Sequence, residues 1–341
     1  MPTVLEQLAA SPVASPVASP ADFPIAHAVR AGLTRTPKQL PPWLFYDQAG
    51  SLLFDQITEL PEYYLTRVER ALLAEHAPEM IAAAAEGHNL ELIELGAGSA
   101  DKTRTLLSAA VAHQGAVQYH PVDVSESALE TACRRIECEL PLVEARPLVA
   151  DYTSQWTEDG RPRKEGSRKL LLWIGSSIGN FDPAAAVAVL QRIQQTMQPG
   201  DSLLLGVDLA PRAQGKTVAH LLAAYNDLAG VTAQFNRNLL VRLNRELAAD
   251  FTPQAFVHRA VWNPQANRIE MHLESLARQA VRLEALELTA HFEAGESIHT
   301  ENSYKYSLEQ AAALMAEAGF PVVQTWTEEQ GWFALLLGQK I

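Results

Sequence analysis

The 341-residue chain has only two cysteines, Cys133 and Cys138, too few for a disulfide framework or a cysteine-rich metal site. A reducing, cytoplasmic compartment is the expectation that follows. Basic charge is also short. With 27 Lys+Arg against 40 Asp+Glu the net charge is −13, whereas a nucleic-acid footprint needs a basic face. No apolar run approaches the ~18 residues that would propose a membrane span. Residues 11–20 read SPVASPVASP, without the basic start and continuous apolar core of a signal peptide. That segment cannot bury enough apolar surface to order itself, so residues 1–20 are expected to form a flexible tail. The ten histidines are scattered, with no helical His pair and no cluster at ligand spacing, so no metal is expected.

What remains is the composition of a soluble globular protein, 48% apolar and 20% charged, long enough for two domains. Helical spacing runs from Pro61 to Ala85. Short strands follow at Leu90–Leu95, Ala116–Val122 and, more weakly, Leu142–Ala150. Helices are expected at Lys102–Val111 and Ser125–Leu140, with Ser125 and Ser127 as candidate caps. Lys169–Ile174 and Ser202–Val207 are continuous apolar runs, as in strands buried on both faces, and Pro183–Met197 is a helix between them. This alternation predicts an α/β fold, a doubly wound parallel sheet. Past Asp208 the rhythm breaks, then returns with a helix at Ser307–Ala318 and a closing hairpin at Val322–Thr327 and Phe333–Leu337. The expected organisation is one α/β domain, 21–207 plus 300–341, interrupted by an inserted α+β segment, 208–299.

Between the first of these strands and the next helix stands Glu94-Leu-Gly-Ala-Gly-Ser-Ala-Asp101-Lys102. Glycines there let the backbone turn sharply and approach a ligand. A dinucleotide loop needs a third glycine, and its place is taken by Asp101, which argues against a nicotinamide-dependent oxidoreductase. Acids on both sides of the glycines suit a cationic ligand without a diphosphate, and S-adenosylmethionine fits. Asp123 ends the second strand, where a carboxylate can grip a ribose diol, and Asp151 follows the third, within reach of adenine. Taken singly, each acid could equally be a solvated loop carboxylate.

The Glu94–Lys102 motif, PEYYLTR at Pro61–Arg67, AYNDLAGVTAQFNRN at Ala224–Asn238 and IHTENSYKYS at Ile298–Ser307 together resemble the histidine-specific N-alpha-methyltransferases of ergothioneine biosynthesis. The resemblance runs from about Pro41 to the C-terminus. It implies a class I methyltransferase fold with a substrate domain, and successive methylation of L-histidine to its trimethyl betaine, hercynine, with S-adenosylhomocysteine as co-product. It also implies roles for individual residues. Tyr46, Gly96, Lys102, Asp123 and Asp151 resemble cofactor contacts, and Tyr152 stands where the family often has another aromatic. Asn180 and Tyr225 resemble the holders of the substrate's amino and carboxylate groups, Tyr63 a neighbour of the imidazole, Glu301 and Ser303 its hydrogen-bonding pair, and Met271 a pocket wall. Tyr46 is also the candidate to accept the amine proton through water.

The spacing of Glu301 and Ser303 fits independently, since i and i+2 of an extended segment share a face and can meet two ring nitrogens. A buried Glu would favour an imidazolium over an indole or phenol ring. Asn180 could instead cap the following helix, although Asp182 competes for that place. Alternatives are a methyltransferase for another amino acid, such as a tryptophan derivative, and a non-catalytic S-adenosylmethionine-binding module. The expected state is a monomer acting on a small molecule, with no nucleic-acid or membrane partner.

Overall fold

In the computed structural model, residues 24–152, 165–212 and 215–341 are described; the expected tail, 1–20, lies outside them. The chain enters through α1 (Pro24–Thr34), β1 (Lys38–Gln39), α2 (Gln48–Thr58) and α3 (Tyr64–Ala85). Then strands and helices alternate: β2 (Asn89–Leu95), α4 (Thr103–Gln114), β3 (Val117–Asp123), α5 (Glu126–Glu139), β4 (Val143–Ala145), β5 (Leu148–Val149), β6 (Ser167–Trp173), α6 (Pro183–Thr196) and β7 (Ser202–Asp208). Pro147, which has no N–H for the ladder, separates β4 from β5, so the expected strand over 142–150 is two short pieces, both paired to β3. Ser125 occupies the cap position of α5 without a side-chain capping bond. Its backbone N–H is held instead by Asp123 Oδ1 at 3.0 Å.

Helix α7 (Val218–Tyr225), α8 (Val231–Leu247), the strands β8 (Phe256–Asn263) and β9 (Arg268–Ser275), the hairpin β10 (Gln279–Leu283) and β11 (Leu288–Phe292), and β12 (Ser297–Tyr304) come next. The chain closes with α9 (Leu308–Glu317), β13 (Val322–Thr327) and β14 (Phe333–Gln339). The main sheet runs β13-β14-β7-β6-β2-β3-β4, parallel from β4 to β7, with β14 antiparallel to β7 and β13 antiparallel to β14. This is the expected doubly wound sheet with its antiparallel closing hairpin. The order reverses between β2 and β6, and a crevice opens beyond their carboxyl ends.

Apolar residues on both faces of the central strands build two cores. One holds Leu92, Leu172 and Phe333, the other Ile93, Trp173 and Leu205. At roughly 1.5–3 kcal/mol per fully buried large side chain, these strands anchor the crevice firmly. A third core joins Leu239, Phe256, Leu273 and Ile298 to Val29, Phe45, Ile57 and Tyr64. Residues 24–65 therefore pack with the elements that follow Asp208. The second sheet, β1-β12-β9-β8, also crosses the expected boundary at 299, which falls inside β12. Among the described residues no helix is long and apolar enough to cross a membrane.

One irregularity in β12 positions the site. His299 pairs with His272 but Glu301 pairs with Met271, so Thr300 is an extra residue in the register. Such a bulge turns the strand's faces over. His299 lies on the outer face with His272, whereas Glu301 and Ser303 turn inward with Met271.

Candidate active site

The loop after β2 has Gly96 at φ +66°, Gly98 at +51° and Ala100 at +52°. The two glycines take this left-handed backbone without cost, and a Cβ on Gly98 would meet nothing within 4 Å, so the loop leaves open space above it. Asp123, at the end of β3, accepts the Gly98 N–H at 3.0 Å with one oxygen and the Ser125 N–H with the other. A carboxylate has about four lone-pair sites, so two remain for a diol. Tyr152 stacks edge-on against Trp173 with ring centroids 5.9 Å apart, and its hydroxyl lies 3.5 Å from where a Cβ on Gly96 would stand. Asp151 is partly buried beside it, just beyond β5. Lys102 reaches across to Glu69, 2.5 Å away, and lies against Gly175 after β6.

The two acids expected to face a cation from either end of the loop do not. Glu94 turns into the protein, accepting from Thr103 Oγ1 at 2.5 Å and from the Tyr119 hydroxyl. Burial pushes its carboxyl up to about 7, against the pull of those two bonds. Asp101 pairs with Arg70 at 2.8 Å and Arg135 at 3.7 Å. Both are structural: Glu94 pins the start of α4, and Asp101 its approach.

Beside this loop lies a pocket walled by Tyr46, Phe54, Tyr63, Asn180, Tyr225, Phe235, Met271, Glu301 and Ser303, with Gly175, Ser176 and Ser177 also in its lining. All seven residues expected on the substrate side, counting Tyr46, thus line one cavity. Rings form a chain along it: Tyr46–Phe54 at 5.7 Å, Phe54–Tyr63 at 6.3 Å and Tyr63–Tyr225 at 6.2 Å. Phe54 and Phe235 were not expected there. Phe235 belongs to the AYNDLAGVTAQFNRN motif and Phe54 follows Tyr46 by eight residues, but only the fold shows that both point inward. Aromatic faces attract cations, most strongly where water is excluded.

Asn180 ends a short 3-10 turn, Ser177–Asn180, after β6. Asp182 caps α6 by accepting the Ala185 N–H, so Asn180 is not needed as a cap and makes no side-chain hydrogen bond among the described residues. Ser176 has φ +58°, a strained setting for a residue with a Cβ, and its hydroxyl takes the Asp208 N–H at 2.9 Å.

The electrostatics centre on Glu301. Its carboxylate has no hydrogen-bonded partner among the described residues, and the residue, half-buried, lines the pocket. Burial pushes it up to about 7, partly offset by the Lys305 ammonium. Burial likewise raises the phenols of Tyr46, Tyr63 and Tyr225 well above their ordinary range, reinforced by nearby negative charge such as Glu301, and all three stay neutral. Tyr225 is fixed from behind: His258 Nε2 bonds its backbone carbonyl at 2.8 Å while His258 Nδ1 meets Asn236. Burial keeps that imidazole below its ordinary value.

On the outer face of the same sheet, Glu270, His272 and His299 bring donor atoms within 4.8 Å of one another. The imidazoles are stacked, 21° between planes, so their in-plane lone pairs run nearly parallel and do not converge on one ion. Arg268 already holds Glu270 at 2.6 Å. The group fits a stacked ion-pair cluster better than a metal-ligand set. Cys133 is buried and Cys138 exposed, each a free thiol.

Comparison with known proteins agrees with this geometry. The chain is 45% identical over 313 residues to histidine N-alpha-methyltransferase of Mycobacterium tuberculosis, covering 92% of this chain and 94% of that protein. It is 31% identical to ergothioneine biosynthesis protein 1 of Neurospora crassa, over 85% of this chain and 32% of that protein. It is 27% identical to a 4-dimethylallyltryptophan N-methyltransferase of Penicillium roqueforti, over 89% and 90%. With the profile described as "Histidine-specific methyltransferase, SAM-dependent" matching residues 25–340, this chain belongs to that family.

Proposed function

We propose that the protein transfers methyl groups from S-adenosylmethionine to the α-amino nitrogen of L-histidine, successively to the trimethyl product hercynine, at the entry to ergothioneine biosynthesis. One observation carries the choice of substrate: a carboxylate without a hydrogen-bonded partner among the described residues, Glu301, beside a hydroxyl, Ser303, in a pocket rich in aromatic rings. A buried acceptor of this kind favours a ring that brings N–H and positive charge, and it penalises one that leaves it unpaired. The names of the relatives point the same way.

In this reading Gly96 and Gly98 let the cofactor approach, Asp123 holds its ribose, Asp151 and Tyr152 border its adenine, and Lys102 and Tyr46 flank its amino-acid end. Its sulfonium supplies the methyl group. Asn180 and Tyr225 hold the substrate's amino and carboxylate groups, with Tyr63 and Met271 closing the pocket. The amine must carry a free lone pair. With a free α-amino pKa of ~8, a sizeable minority is neutral near pH 7, so alignment in a water-poor site does most of the work. Tyr46, a neutral phenol, can pass the released proton to water only as a relay. The substrate layer is the inserted segment 208–299 with its neighbours, carried on a domain of 21–207 and 300–341. The reading also keeps the expectations from composition: a cytoplasmic monomer acting on a small molecule, without metal, nucleic acid or membrane.

The test is incubation with S-adenosylmethionine and a panel of amino acids, read by mass. Histidine is expected to gain one to three methyl groups. No gain with histidine overturns the proposal, and a gain on a tryptophan derivative instead supports that alternative. Glu301→Ala is expected to lower kcat/KM for histidine roughly tenfold to hundredfold, and full retention of histidine selectivity would count against the role of Glu301.

A further inference from the structure

Lys305 has no part in the roles argued so far. It lies just beyond β12, two residues after Ser303, and is 2% exposed. Its ammonium reaches Ser303 Oγ at 2.7 Å, Asp208 Oδ2 at 2.8 Å and Tyr225 Oη at 3.0 Å. An ammonium has three N–H donors and no acceptor, so every donor is committed. Asp208 is fully buried at the end of β7 and also takes the Lys216 ammonium and the Tyr64 hydroxyl, at 2.9 Å for the latter.

This saturation fixes a proton count. Tyr225 Oη and Ser303 Oγ are 2.7 Å apart, so one of their two hydroxyl protons lies between them. Neither proton can point at Lys305, which only donates. One proton therefore remains for the pocket. If Tyr225 donates to Ser303, the serine oxygen has both lone pairs filled and can only donate outward. If Ser303 donates to Tyr225, the tyrosine proton faces the pocket and the serine keeps one lone pair, so it can only accept.

We infer that Lys305 is a positioning residue that makes the Tyr225–Ser303 pair present one donor and one acceptor, so that histidine is held with its ring as the imidazolium. The inference rests on the proposed function. With the substrate carboxylate at Tyr225, the single free proton goes to that carboxylate and Ser303 is left to accept. One ring N–H then meets Ser303 Oγ and the other meets the Glu301 carboxylate. A ring that gives an N–H to both is doubly protonated. A neutral ring with a protonated Glu301 holds as many protons as an imidazolium with a carboxylate; where both start deprotonated, as near pH 8, binding takes up one proton from water. An indole, with one N–H and no basic nitrogen, cannot supply the second donor.

Histidine labelled with 15N in its ring, bound to the full chain with S-adenosylhomocysteine at about pH 8, tests this, since a free ring of pKa ~6.5 is neutral there. Both bound nitrogens are expected to resonate as protonated. A bound ring with one unprotonated nitrogen overturns the inference while leaving the proposed function standing, whereas no bound histidine at all overturns both. Lys305→Met removes the ammonium that holds the two hydroxyls together, so the Ser303 proton can leave Tyr225 and turn to the ring, while Lys216 still neutralises Asp208. The bound ring is expected to revert to a neutral form, with KM for histidine raised roughly tenfold or more and S-adenosylhomocysteine affinity unchanged. An unchanged imidazolium and KM overturn the role of Lys305. Should that variant fail to fold, Tyr225→Phe releases the Ser303 proton and is expected to give the same shift to a neutral ring; a persistent imidazolium there overturns the paired count.

Discussion

Glu69 Oε2 lies 2.5 Å from Lys102 Nζ while Glu69 Oε1 accepts the Gly175 N–H at 2.7 Å. One carboxylate of α3, 1% exposed, therefore ties the loop after β2 to the loop after β6 across the crevice. Glu69→Ala leaves a lysine and a backbone N–H without their partner. We expect a loss of about 3 kcal/mol in stability by denaturant unfolding. Calorimetry should show roughly tenfold weaker binding of S-adenosylhomocysteine, and an unchanged Kd would mean that Lys102 holds its place without Glu69.

Gly179 separates the two halves of the site differently. A Cβ there would stand 2.9 Å from the Tyr304 carbonyl oxygen and 3.6 Å from Ser303 Oγ. Gly179→Ala must push the 3-10 turn bearing Asn180 away from β12. Displacements near 1 Å in a reacting geometry cost up to ~100-fold, so kcat/KM for histidine should fall tenfold or more. S-adenosylhomocysteine affinity should not change; equal losses in both would place the strain in the main sheet instead.

The sequence already shows most of this machinery, for physical reasons. Apolar runs such as Lys169–Ile174 announce buried strands whatever surrounds them, and the i, i+2 spacing puts Glu301 and Ser303 on one face. Lys305 obeys the same spacing, so its place beside Ser303 was legible too. Its charge disguised it, because lysines are seldom buried unless paired. The partner that permits burial, Asp208, lies 97 positions earlier in the chain and meets Lys305 only through the fold. Glu69 gave no signal at all: it is one acid in a helix with several, and its partner is 33 residues away. Glu94 and Asp101 misled for the opposite reason, since their position beside the glycines said nothing about which way each carboxylate turns.

Glu94 should leave a mark on the pH dependence of stability. Its carboxyl is raised from 4.5 to about 7 by burial, so the folded chain binds more protons than the unfolded chain between those values. Stability from this group is full below about pH 4.5 and is lost as pH rises through about 7, by roughly 3 kcal/mol at most. Comparing Glu94→Gln with the parent by thermal unfolding, the parent should lose ground across that window. A constant difference from pH 4.5 to 8 would refute the assignment.

Lys216 carries the opposite sign. Burial lowers its ammonium from 10.5 to about 8 despite Asp208, so the unfolded chain binds more protons between pH 8 and 10.5. Stability from this group therefore rises with pH over that window. Lys216→Met removes the titration and keeps most of the volume, while Lys305 still neutralises Asp208. The parent should gain on the variant from pH 8 to 10.5 in urea unfolding; parallel curves would show that Lys216 does not titrate there.

The extra residue in β12 has a consequence for how such a site can change over generations. Because Thr300 inverts the strand, two adjacent stretches of one chain serve opposite sides of a sheet, and losing a single codon there would exchange them. In the proposed reading, substitutions at 301 or 303 would alter which ring is welcomed, while the glycine loop keeps its own anchor, the Gly98 N–H on Asp123. A lineage can thus explore new amino-acid substrates by point changes, each intermediate still able to load its methyl donor, while insertions and deletions near 300 are closed to it. That asymmetry suits a family whose relatives carry names for both histidine and a prenylated tryptophan.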